Sequence, residues 1–210
     1  MSQIKPERRV LVLLLALASF LSIARVSAMG QASANLRSTT IDMAVTYDAV
    51  HARSTGSSSF WMKGGGIELH GPFYRGFGFT ASATGLHAES TGPLTVPLDL
   101  VTIVFGPRYT LHSKSGGVSI FCEALGGEAH GFHSVFSTGS GPASNPLNGT
   151  TDRANALAFQ AGAGIDLKLN HALAIRLIQA DYLRTQLPNG QSNTQNNTRL
   201  GIGMVLRLGS

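Results

Sequence analysis

Apolar and polar positions alternate with a period of two along most of the chain, and the alternation predicts strands with two unlike faces. From Leu157 to Leu169 every odd position is apolar: Leu157, Phe159, Ala161, Ala163, Ile165, Leu167 and Leu169. The even positions are small or polar: Ala158, Gln160, Gly162, Gly164, Asp166 and Lys168. The same two-faced pattern runs through Ile41–Val50, Ile67–His70, Phe77–Thr84 and Val101–Leu111. It is cleanest at the end, where Thr198, Leu200, Ile202, Met204, Leu206 and Leu208 alternate with Arg199, Gly201, Gly203, Val205 and Arg207. Two further strands are expected near 118–132 and 172–187, with unsettled phase. Glu123 disagrees with Phe121 and Leu125, and the second pattern wavers after Arg176. Pro107 lies inside a strand pattern, so a bulge or a strand end is expected there.

The reading gives eight strands and no helix beyond the first segment. Connections after strands two, four and six are short, beginning with "GPFYRG". The others are longer and rich in Ser, Asn and Gly. The longest is "HSVFSTGSGPASNPLNGTTDR". Alternation of tight turns with long loops fits an up-and-down antiparallel barrel crossing a membrane.

The two faces then decide the solvent. Asp42, Asp48, Glu68, Arg108, Asp166, Lys168, Arg199 and Arg207 fall on the polar face, among Gly, Ser, Thr and Gln. A water-facing surface would carry far more Lys and Glu. A sparse polar face rich in small residues suits a narrow lumen filled by side chains. Asp42, Asp48, Glu68, Arg108, Asp166, Lys168, Arg176, Arg199 and Arg207 are therefore expected as structural lumen charges. Their expected partners include Glu123 and Asp181, because buried charges must be paired. The same charges lining an open channel would make a gate or selectivity filter. Lipid accepts only helices or closed barrels, and the strand pattern supplies the second. Trp61, Phe73, Tyr74 and Tyr109 fall near strand ends, as interfacial aromatics do.

Composition changes this picture in two places. The chain of 210 residues carries a formal net charge of +5. Lys5, Arg8, Arg9, Arg25 and Glu7 lie in a removable-looking segment; setting them aside leaves 12 basic and 10 acidic residues. These are scattered singly, without the basic patch of a nucleic-acid binder. The first 28 residues read as a helical signal peptide for export through the Sec pathway. A basic start precedes the 14-residue run "VLVLLLALASFLSI" and the small residues Val26-Ser27-Ala28. The run is short of the ~20 residues of a spanning helix. The expected organisation is residues 1–28 signal peptide, 29–39 linker and 40–209 barrel. Cys122 is the single cysteine, so no internal disulfide is available.

Motifs for chemistry are weak. His130 and His133 have an H-x-x-H spacing, but only Glu128 offers a third ligand, and no metal or cofactor is expected. No G-x-S-x-G elbow occurs, and no enzyme is expected. The sequons at Asn148 and Asn196 are of the kind that arise by chance in Asn-rich loops.

"FGPRY" (Phe105–Tyr109), "ALGGEAH" (Ala124–His130), "QADYL" (Gln179–Leu183) and the last strand together resemble the eight-stranded bacterial outer-membrane β-barrel family, the type of the OmpA transmembrane domain. The resemblance covers about residues 40–209. It implies an outer-membrane location, lipid as surroundings, and an extracellular ligand for the loops, above all residues 132–154. It also implies that Arg199, Gly201, Met204 and Leu206 form a signal read by the barrel-assembly machinery. The chain departs from the family in ending Leu-Gly-Ser rather than in an aromatic residue, and no appended peptidoglycan-binding domain is expected. Two other functions remain open at this point: a small-solute or ion pore, and a soluble periplasmic lipocalin-like barrel.

Overall fold

A computed structural model describes residues 40–53, 59–91, 96–137, 149–189 and 193–209. The expected signal peptide and linker lie outside the described residues, as does the middle of the longest loop.

Eight strands follow one another: β1 (Ile41–Arg53), β2 (Ser59–Tyr74), β3 (Phe77–Ala88), β4 (Leu98–His112), β5 (Val118–Ser137), β6 (Thr150–Lys168), β7 (Leu173–Thr185) and β8 (Gln195–Leu208). Each pairs antiparallel with the next, and β8 returns to β1 through Ile41↔Leu208, closing the barrel. The short connections lie at one end. Arg75 and Gly76, both at positive φ, join β2 to β3 in a two-residue hairpin turn that follows the strand twist. Asn170 Oδ1 accepts from the Ala172 and Leu173 amides and forms the β6–β7 turn.

Register fixes the tilt. Cα partners carried around the barrel run Cys122, Ala163, Ala180, Leu200, Ala49, Lys63, His87, Asp99 and Phe132. The path returns to β5 ten residues further along than it started. With ~3.3 Å per residue and ~4.8 Å between strands, that stagger sets a tilt of about 40°.

The burial pattern settles the faces. On β3, Phe77, Phe79, Ala81 and Ala83 are exposed, while Gly78, Thr80, Ser82 and Thr84 are buried. Around the wall, Ile41, Val45, Ile67, Leu69, Ile103, Phe105, Leu200, Ile202, Met204 and Leu206 all point outward. The span Leu200–Leu208 on β8 rises about 20 Å along the axis at that tilt, close to the ~25 Å apolar band of outer-membrane barrels. This wall faces lipid, which overturns the lipocalin-like alternative. Phe73, Tyr74, Phe77 and Tyr109 gather at the tight-turn rim, and Trp61 stands at the opposite rim against His51 at 5.0 Å.

Three features differ from the sequence reading. Pro107 sits inside β4 with no register shift; its Cα partner on β3 is Phe79. The β5–β6 connection is shorter than expected, because β5 runs to Ser137 and β6 starts at Thr150. A bulge between Phe132 and Phe136 carries the extension, and His133 takes a left-handed φ of 56° within it. Finally, the interior is not polar throughout. Toward the long-loop end it holds an ordinary apolar core of Val50, Met62, Leu86, Leu100, Val104, Leu125, Ala129, Phe136 and Leu187. The outward positions at that end turn polar: Lys63, His87, Asp99, Glu128 and His130. The barrel thus reverses its inside-outside polarity along its axis, lipid-solvated below and water-solvated above.

Candidate functional site: a sealed polar lumen under an apolar cap

Below the apolar cap, inward positions of seven strands supply one hydrogen-bonded network. Arg108 on β4 donates Nη2 to Glu68 on β2 and to Glu123 on β5, with Nε also on Glu123 Oε2 at 2.9 Å. Arg176 on β7 donates Nη1 to Glu68 Oε1 at 2.8 Å, Nη1 to Gln179 Oε1 at 2.8 Å and Nε to Asp166 Oδ1 at 2.9 Å. Glu123 Oε1 accepts from Gln160 and Gln179 amides at 3.1 and 3.0 Å. Arg199 on β8 donates Nε to Asp181 Oδ2 at 2.8 Å and Nη1 to Thr84 Oγ1 on β3 at 2.9 Å. Gln179 reaches Asp181 Oδ1 at 3.4 Å and joins the two halves.

Phe121 stands on the same inner wall. The guanidinium carbons of Arg108 and Arg176 lie 4.0 and 4.5 Å from its ring centroid. Arginine is weakly hydrated and planar, so an aromatic face beside it replaces lost water. Small residues make room for these arms. A Cβ at Gly162 would lie 2.0 Å from Asp181 Oδ1, and one at Gly164 2.4 Å from the Phe121 ring.

The expected lumen residues fall as follows. Glu68, Arg108, Arg176 and Arg199 are buried in the network, with Asp166 nearer the tight-turn mouth. Asp42 and Arg207 face each other at 3.7 Å in that mouth. Asp48 is fully buried but takes only a hydrogen bond from Thr46 Oγ1, at 2.8 Å. Lys168 is half-buried at the end of β6, and no ion pair to it occurs among the described residues. Of the four residues on β8, Arg199 and Gly201 face inward while Met204 and Leu206 face out. Gln160 falls on the polar face where the alternation put it, whereas Phe121 and Gln179 are members that sequence reasoning did not place. Glu123 at a period of two from Phe121 was the available signal.

A recess with a volume of about 20 Å³, room for a water or two, opens among Asp42, His70, Arg108, His112, Asp166 and Arg207. Phe121 and the two arginines form its inner wall, and the apolar cap lies beyond.

A second polar cluster lies at the long-loop rim, above the apolar belt. Asp99 on β4 accepts from His87 Nδ1 on β3 and from His133 Nδ1 on β5, each at 2.6 Å. His130 instead meets Asn155 Oδ1 at 2.8 Å and Glu128 at 3.4 Å. The two histidines of the H-x-x-H spacing therefore take different partners.

No family model and no curated protein matches the sequence. Among solved structures the barrel is similar to Neisserial surface protein A, with a TM-score of 0.62 at 13% identity over 80% of this chain and 97% of that one. It is also similar to Ail, the attachment invasion locus protein of Yersinia pestis, solved with the heparin analogue sucrose octasulfate. That likeness has a TM-score of 0.52 at 14% identity, over 81% of this chain and 99% of that one. The fold is that of the eight-stranded outer-membrane barrels, and with the lipid-facing belt it makes the chain an integral outer-membrane barrel.

Proposed function

We propose that this barrel does not conduct and that it acts at the cell surface through its long-loop end. The observation that carries the reading is the double closure of the lumen: the Arg108–Phe121–Arg176 stack below and the apolar core above. An eight-stranded barrel is narrow enough for side chains to fill. The lumen charges serve as structure, since Arg108, Arg176 and Arg199 are held by carboxylates, an amide and a hydroxyl on the same and adjacent strands and across the lumen. Arg199, Gly201, Met204 and Leu206 on β8 serve as the signal for the barrel-assembly machinery.

The surface role is supported by the β5–β6 hairpin. Pairing of β6 with β7 stops at Ala158↔Thr185, yet β6 begins eight residues earlier, at Thr150. Pairing of β4 with β5 stops at Asp99↔Phe132, yet β5 continues to Ser137. Among the described residues the hairpin strands run on past their pairing with both neighbours, and the edges so left offer themselves to an extracellular ligand. Val135 and Leu157 are exposed on it.

The test has two arms. Purified barrel reconstituted in planar bilayers gives no unitary current steps; reproducible steps would establish the pore alternative. Cells displaying a chain with residues 138–148 replaced by a short turn keep the heat-modifiable gel migration of a folded barrel and lose attachment to host surfaces. Unchanged attachment overturns the surface role.

A further inference from the structure

The buried part of the lumen holds, among the described residues, four carboxylates, Asp48, Glu68, Glu123 and Asp181, three guanidiniums, Arg108, Arg176 and Arg199, and the imidazole of His70, with Asp166 nearer the mouth. Asp42 and Arg207 balance each other at the mouth. Glu68, Glu123, Asp166 and Asp181 each touch an arginine. Asp48 touches none within the described residues. The arginine of the adjoining strand, Arg199 on β8, directs Nε and Nη2 to Asp181 and Nη1 to Thr84 rather than to Asp48.

Asp48 is 0% exposed, and its Oδ1 has no hydrogen-bond partner. It lies over glycines on both sides: its Cα partners are Gly64 on β2 and Gly201 on β8. A Cβ at Gly201 would come within 2.5 Å of Oδ1, and one at Gly66 within 3.1 Å of Oδ2. Two more inward oxygens, Gln160 Oε1 and Asn197 Oδ1, are buried and also lack a donor. Among the described residues the buried lumen thus holds one carboxylate more than its guanidiniums, together with buried oxygens that meet no donor. A buried carboxylate with no countercharge is too costly to persist alone.

We propose that Asp48 is a binding site for one further small positive charge, a proton or a monovalent alkali cation, taken up when the barrel closes. The groups that face it are Thr46 on its own strand, Glu68 on β2, Thr84 on β3, Asp181 on β7 and Arg199 on β8. The site is independent of what the loops bind.

The experiment follows unfolding by urea of the full barrel in lipid vesicles. It is run across neutral pH, and at constant ionic strength with sodium, potassium or choline chloride. If the charge is a proton, each pH unit of acidification favours folding about tenfold more in the wild type than in Asp48→Asn, one proton being taken up. If it is an alkali cation, sodium or potassium favours folding of the wild type over choline, and Asp48→Asn removes the difference. A wild-type barrel indifferent to both overturns the proposal, and that arm needs no variant to fold. So does an Asp48→Asn or Asp48→Ala barrel that keeps the wild-type dependence.

Discussion

Arg176 on β7 reaches across the lumen to Glu68 on β2, Nη1 to Oε1 at 2.8 Å, joining residues 108 apart in the chain. The same carboxylate also takes Arg108 from β4. Glu68 is therefore a point where three strands that do not touch one another along the wall are tied through the middle.

Removing Arg176 leaves Glu68 and Asp166 buried with too little positive charge. Arg176→Ala is expected to destabilise the barrel by about 3–5 kcal/mol, the range for breaking a buried pair from one side. Arg176→Met combined with Glu68→Gln and Asp166→Asn removes the charges together and costs less than Arg176→Ala alone. Urea unfolding in vesicles measures both. A single variant as stable as wild type contradicts the network's structural role.

Asp99 lies above the apolar belt, and its two histidines tie β3 and β5 to β4 at the base of the protruding hairpin. Burial by itself would raise the Asp99 carboxyl. Hydrogen bonds from His133 and His87, with their charges, outweigh it and hold the group below its ordinary value. Its contribution is thus complete above the unfolded aspartate value of ~3.9 and is lost as pH falls through the lowered folded value. Amide hydrogen exchange in Phe132–Ser137 is expected to accelerate only in strong acid. Asp99→Asn shows the faster exchange already at neutral pH. Identical exchange in variant and wild type at neutral pH would show that the tie does not hold the hairpin.

Glycine positions test how closely the strands approach. A Cβ at Gly64 would lie 1.9 Å from the Gly85 carbonyl oxygen, a backbone atom that cannot step aside, while one at Gly126 meets nothing within 4 Å. Gly64→Ala is expected to cost about 1–3 kcal/mol by overpacking. Gly126→Ala changes stability by no more than about 0.5 kcal/mol. Chemical denaturation of the two variants side by side checks the contrast, and equal effects would refute the close approach of β2 to β3.

How much of this was legible in the sequence varies along the axis. In the lipid-crossing half the period of two is decisive, since one face meets hydrocarbon and the other meets Gly, Thr and charge. Leu200, Ile202 and Met204 against Arg199, Gly201 and Gly203 leave no ambiguity. Toward the long loops both faces of a strand are apolar where cap and belt overlap. Leu100 and Val104 face in while Ile103 and Phe105 face out, so the apolar run is nearly unbroken and only Thr102 and Gly106 mark the alternation. Phe121 defeated the phase for another reason. An aromatic on a polar inner wall looks misplaced until two guanidiniums are seen resting on its ring. Arg108, Arg176, Arg199 and Arg207 meet carboxylates while Asp48 and Lys168 meet no ion partner among the described residues, and which arginine meets which carboxylate depends on the ten-residue stagger. No local pattern encodes that stagger.

The lipid-facing wall makes a depth-dependent prediction on a single strand. Ile202 and Thr198 both point outward from β8, four residues apart. At the tilt set by the register they differ by about 10 Å in height. Ile202 lies near the middle of the apolar belt, partnered by Tyr47, and Thr198 lies at its upper edge beside His51. An arginine at mid-depth must pull water or headgroups toward it, whereas one at the edge reaches them by extending its side chain. Ile202→Arg is expected to cost about 2–4 kcal/mol and Thr198→Arg about 0–1 kcal/mol in vesicle-based unfolding. In detergent micelles, which deform around the charge, the gap narrows. Equal costs in vesicles would mean that this face does not sit in hydrocarbon, and the inside-outside assignment of every strand would fail with it.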